Sequence, residues 1–150
     1  MPLSLQEISD RIEIHDLLVR YSHAIDTRNF DALDEVFTPD AVIDYSSMGG
    51  AKGNLPEIKE FLRKAMAQFS GFQHMIANSM IEVRGDEAVG HTMCHNPMVL
   101  PTKDGGTHVF YCGLWYNDKL VRTPKGWRIR ERVEEKSYFH NVPPSFAVQS

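Results

Sequence analysis

The chain has 150 residues, 42% of them apolar and 24% charged, with a formal net charge of −4. That length suits one domain, large enough to bury about two thirds of the surface its unfolded chain exposes. The acidic balance speaks against nucleic acid as a partner, since a phosphate-binding surface shows as a basic stripe. The one basic cluster, WRIRER, alternates with Trp127, Ile129 and Glu131 and is expected on the outward face of a strand. No apolar run approaches the roughly 20 residues that span a bilayer, so no membrane partner is expected.

The start, MPLSLQEISDRIEI, is acidic and amphipathic, unlike a secretory signal. With Cys94 and Cys112 as the only cysteines, no disulfide framework is indicated and a cytoplasmic location is expected.

The first 28 residues read as one helix, with Ile8, Ile12, Leu18, Tyr21 and Ile25 at helical steps between charged positions. FDALDEVF is expected to form a short second helix, led by Asn29 and stopped at Thr38-Pro39. Ala41 to Tyr45 is a strand candidate, and the glycine-bearing run Ser46 to Asn54 a loop. Asn54 is placed to cap a third helix over Leu55 to Phe69, with Pro56 in its first turn.

After Gly71 the pattern turns to strands: Phe72 to Val83, Ala88 to Leu100, Thr107 to Arg122, and Trp127 to about Phe139. The tail from Asn141 is expected to be coil. Successive strands with short connections pair antiparallel, so the fold class is α+β, a single domain over 1–150. Twist makes long antiparallel strands curl, and a curled sheet under helices encloses a pocket, the usual ligand site.

Two residues stand where an apolar element begins or ends. Asp26 closes the first helix, and His74 opens the run GFQHMIANSMIEV. A carboxylate that fixes an imidazole's tautomer makes a general-base pair. Alone, such an aspartate is more often a turn residue bonded to its own backbone, and such a histidine a half-buried strand residue. Tyr45 reads equally as a core ring with a wet hydroxyl. Tyr21 should face the same interior as Asp26, as pocket lining or plain core.

His91 and His95 share a strand face about 13 Å apart, too far to hold one ion, so no metal site is expected. Cys94 and Cys112, opposite or diagonal across a hairpin, read as small reduced core residues.

Three stretches, YSHAIDTRNFDALDEVFTPDAVIDY, QHMIAN and GLWYNDKLVRTPKGWRIRE, resemble the SnoaL-like branch of the nuclear transport factor 2-like superfamily. Within it the chain is most similar to the group of scytalone dehydratase and hexachlorocyclohexane dehydrochlorinase. The resemblance implies a cone-shaped sheet around a deep apolar cavity, with an Asp–His dyad at Asp26 and His74. It also implies a water-holding tyrosine at Tyr45. Where the dehydratase carries further polar groups, this chain has Ile25, Met98 (with His95 nearby), Phe110 and Cys112, which are then expected to line the substrate site.

The resemblance thus implies a cofactor-independent lyase acting on a small apolar cyclic or aromatic molecule, with dehydration, dehydrohalogenation and isomerisation all within reach of the same dyad. The alternatives are a non-catalytic domain that binds ligands or proteins, and the small subunit of an aromatic-ring dioxygenase. The outer sheet face, with Trp115, suggests a homo-oligomer, and the resemblance favours a trimer.

Overall fold

The computed structural model describes residues 2–144 and 146, so the expected coil tail lies partly outside the described residues. Helix α1, Leu5–Asp26, begins at a capping box: the Ser4 hydroxyl accepts from the Glu7 N–H, and the Glu7 carboxylate returns to the Ser4 N–H at 2.8 Å. Its buried stripe is Ile14, Leu17, Leu18, Tyr21, Ala24 and Ile25. Ile8 and Ile12, expected in that stripe, are 42% and 58% exposed, while Asp10 is buried. The inversion has a tertiary cause. Arg122 grips Asp10 with two nitrogens at 2.8 and 2.9 Å, and the Trp127 indole N–H adds a third bond at 3.0 Å.

A single 3₁₀ segment, Phe30–Glu35, replaces the expected second helix, and Asn29 makes no side-chain cap. Thr38-Pro39 does not end a helix. It lies inside strand β1, Phe37–Asp44, where the register against its neighbour shifts between Phe37 and Val42. Such an irregularity suits proline, which has no N–H for the ladder. A short β2, Lys52–Asn54, precedes α2, Leu55–Met66, whose first turn is capped by Asn54 through the Glu57 N–H at 3.0 Å.

Strands β3, Gly71–Phe72, and β4, Met75–Arg84, both pair with β5, Glu87–Pro101. Strands β6, Thr107–Thr123, and β7, Gly126–His140, continue the antiparallel ladder. The order is β2-β1-β7-β6-β5-β3, and β1 joins β7 in parallel, so the sheet is mixed where an antiparallel one was expected. The expected α+β architecture otherwise stands, with the helices packed over a curled sheet. Alternation sends Cys94, Asn96 and Met98 of β5, and Phe110, Cys112, Leu114 and Tyr116 of β6, to the covered face.

The WRIRER run does not point outward as expected. Trp127, Arg128, Ile129 and Arg132 are all buried, and Arg130 is the arginine left exposed. Arg132 lies opposite Asp118 in the register and binds it with two bonds of 2.7 Å, its guanidinium between the Tyr21 and Tyr116 rings. The bidentate carboxylate and two aromatic faces let this charge enter the core, its remaining terminal nitrogen having no hydrogen-bond partner among the described residues. Trp115 does lie on the outer face, stacked on His91 at 4.1 Å.

Candidate active site

Asp26 and His74 meet. Arg28 sets the approach: its backbone takes φ 58°, and its guanidinium donates to the carbonyls of Met66 and Phe69 at 2.6 and 2.7 Å and covers the Phe72 ring. The end of α1 is thereby fastened to the segment that leads into His74. His74 itself occupies the break between β3 and β4, opposite the stretch of β5 that holds Pro97, which has no N–H to give. Its backbone N–H, free of the ladder, donates to both oxygens of Asp26 at 3.1 and 3.0 Å. Its Nδ1 lies 2.7 Å from Asp26 Oδ1, which marks Nδ1 as the protonated nitrogen.

Nε2 then carries the lone pair and faces Asn96, whose amide nitrogen is 3.1 Å away. Asn96 Oδ1 is buried without a hydrogen-bond partner among the described residues. Rotating the amide would present that oxygen to Nε2 once the ring has taken a proton. The dyad is half closed to solvent, with side-chain exposures of 9% for His74 and 23% for Asp26.

His74 and Asn96 form one wall of a cavity of about 210 Å³ between α2 and strands β5 to β7. Most of the lining is apolar, including Phe61, Phe69, Met98, Phe110, Leu114 and Phe139. Tyr45 closes another side. Its hydroxyl is 2.6 Å from that of Tyr21, and the chain packs so closely there that a Cβ on Gly50 would stand 2.7 Å from the Tyr45 Cβ. Burial pushes the Tyr21 phenol up to about 12 and Tyr45 well above the ordinary tyrosine range, so both remain hydrogen-bond donors at neutral pH. Burial likewise pushes both Cys94 and Cys112 up to about 12, which leaves them as thiols. They sit diagonally, Cys94 opposite Leu114 and Cys112 opposite Asn96.

Of the expected site residues, Tyr21, Tyr45, His74, Met98, Phe110 and Cys112 line the cavity. Ile25 does not. It is core, 1% exposed, because one residue before Asp26 means about 100° around the helix. His95 faces away, its ring on Tyr111 and its Nδ1 at 3.0 Å from the Tyr138 hydroxyl.

Four polar lining residues lie outside the expected set: Gln68, Asn96, Tyr116 and Glu134. Asn96 shares the two-residue period of Cys94 and Met98, a signal that was present. Glu134 sits in the charged run RERVEEK, where nothing marks it as interior. Its carboxyl has no hydrogen bond or ion pair among the described residues, and burial pushes it up to about 8 against the opposing pull of Arg132.

The curled sheet under N-terminal helices is the nuclear transport factor 2-like fold. Within that class the chain belongs to the SnoaL-like domain family, whose model matches residues 6–133. It is 52% identical over 136 residues to an uncharacterised protein of Mycobacterium tuberculosis, covering 91% of each chain.

Among solved structures it is similar to a candidate aromatic ring hydroxylase from Novosphingobium aromaticivorans, with TM-score 0.80 and 30% identity over 90% of this chain and 94% of that one. A candidate scytalone dehydratase from the same organism superposes at TM-score 0.80 with 16% identity, over 91% of this chain and 90% of the other, a likeness of fold alone.

Proposed function

We propose that this protein is a lyase needing no cofactor, which removes a proton and a leaving group from neighbouring carbons of a small ring. The observation that carries the reading is the 2.7 Å bond between His74 Nδ1 and Asp26 at the wall of an apolar cavity. Neutral His74 takes the proton on Nε2, and Asp26 stabilises the imidazolium that forms. A substrate C–H displaces the Asn96 amide from Nε2 to reach it. Tyr45, held by Tyr21, donates to the carbonyl oxygen as enolate charge develops, directly or through a water.

The cavity of about 210 Å³ is somewhat larger than the ~150 Å³ that holds benzene, so it takes one substituted ring. The fold shared with a candidate dehydratase agrees with this class of chemistry.

The test is turnover of single-ring β-hydroxy ketones such as 3-hydroxycyclohexanone, followed by enone absorbance. Asp26→Asn and His74→Asn should each lower kcat/KM by about 10² to 10⁴ while the fold is retained. Losses below a few-fold in both folded variants would remove the base role. Thermal stabilisation by these rings without turnover would assign the cavity to binding alone.

A further inference from the structure

Glu134 brings a carboxyl to the cavity lining, and neither the dyad nor the tyrosines use it. It projects from β7, opposite Tyr116 in the register, and Tyr116 in turn stands opposite Thr92 of β5. Glu134 is therefore two strands over and four residues along from Asn96, and its carboxyl reaches the cavity from a different wall than His74 does.

No cation pairs with it among the described residues. Arg132, two residues away on the same strand, gives Nε and one terminal nitrogen to Asp118 and is sandwiched by Tyr21 and Tyr116. Its other terminal nitrogen has no hydrogen-bond partner among the described residues and makes no ion pair with Glu134, on which it acts at a distance. The other nearby charge, Asp44 of β1, repels a second carboxylate. The remaining titratable groups around it, Tyr21, Tyr45, Tyr116, Cys94 and Cys112, are uncharged at neutral pH. Glu134 is half-buried, and burial and Asp44 both work against its ionisation. Its carboxyl therefore favours the protonated form and has no side-chain partner among the described residues to hold that proton from a ligand.

We infer that Glu134 is the general acid of this cavity, protonating the hydroxyl that leaves the ring while His74 deprotonates the carbon next to the carbonyl. The inference rests on the proposed lyase chemistry and names the second half of it. His74 Nε2 takes the proton, and the C–H electron pair forms the enolate held at Tyr45. The enolate then closes the new C=C bond, the C–O bond breaks with its electrons on oxygen, and the Glu134 O–H supplies the proton that makes water. Imidazolium and carboxylate remain, and solvent carries the proton from one to the other before the next turnover. Acid and base on separate walls avoid asking one ring both to take and to give within a single encounter.

The discriminating experiment varies the leaving group. Wild type, Glu134→Gln and His74→Asn are compared on 3-hydroxycyclohexanone, whose leaving group needs a proton, and on 3-acetoxycyclohexanone, whose leaving group does not. Glu134→Gln should lose about 10² to 10⁴ on the alcohol and less than about tenfold on the acetate, whereas His74→Asn should lose heavily on both. Equal effects of Glu134→Gln on the two substrates would overturn the acid role and leave the base standing. Insensitivity to His74→Asn would sink the base instead. A wild type inactive on both would end both readings.

A carbon-13 titration of the glutamate carboxyls, which needs no substrate, supplies the second measurement. It should show one signal with a midpoint near 8 that disappears in Glu134→Gln, and finding every glutamate in the ordinary range would equally overturn the proposal.

Discussion

Asp26 accepts three hydrogen bonds from a single residue, two from the backbone N–H of His74 and one from its ring. The backbone bonds fix where the carboxylate sits, and the ring bond fixes which nitrogen is protonated. Substituting Asp26→Asn keeps the shape and removes that preference, because an amide donates as readily as it accepts. Nitrogen-15 spectra of the imidazole should show the Nδ1–H form in the wild type and a mixture of tautomers in Asp26→Asn. An unchanged tautomer in the variant would mean that the carboxylate does not set it.

Asn96→Ala should behave differently. The tautomer stays, the fold stays, and turnover falls by about tenfold, as expected for a group that positions the ring without exchanging protons. The contact of Asp26 with His74 and the place of Tyr45 at the cavity were legible in the sequence because each sits at an element's edge. Asn96 was half legible, through the period of its strand. Glu134 was not, since its inward direction depends on β7 register shifts beside Gly113 and Lys119 of β6 that no local pattern records.

Helix α1 is held at its far end by Asp10, and that anchor has a pH signature. Its hydrogen bonds to Arg122 hold the carboxyl down at about 2, against the desolvation that burial imposes. A folded-state value below the ordinary 3.8 means stability that is complete above about pH 4 and is lost as pH falls toward 2. The shift corresponds to about 2 kcal/mol, or a melting temperature higher by about 4–8 °C in a domain of this size.

Asp10→Asn should therefore melt well below the wild type near neutral pH, with the gap closing as the solution is acidified through that window. A gap independent of pH would show that packing rather than charge is at stake. The same element shows where periodicity misleads. Ile8 and Ile12 fit the apolar stripe by spacing, yet Asp10 is the buried position, because its partners arrive from β6 and β7, more than a hundred residues away. Arg132 repeats the lesson on β7: a charge looks external until its counter-charge, Asp118, is found across the ladder.

For the molecule as a whole, the first and third expected helices and the antiparallel run β5 to β7 were legible because local pattern and turns dictate them. The 3₁₀ form of the expected second helix, strand β2 and the parallel union of β1 with β7 were not, the last because it joins chain segments with no local connection. That union places Asp44 on the side of the cavity where Glu134 lies, so the closed sheet creates an electrostatic cost that neither strand carries alone. Glu134 is pushed from 4.5 up to about 8, so the folded protein binds a proton there that the unfolded chain releases. Stability from this source is complete below about pH 4.5 and is lost progressively as pH rises through about 8, the reverse of the Asp10 trend.

Glu134→Gln keeps the shape, cannot ionise and leaves Arg132, Asp118 and Asp44 in place. Its melting temperature should match the wild type near pH 5 and exceed it by several degrees near pH 9, the difference growing across the interval between. Because the comparison is between two proteins differing at one group, titration of the histidines and of the other carboxylates cancels. Parallel melting curves over that whole range would mean that the carboxyl ionises at no cost, and the cavity wall around it would then have to be wetter than its apolar lining implies.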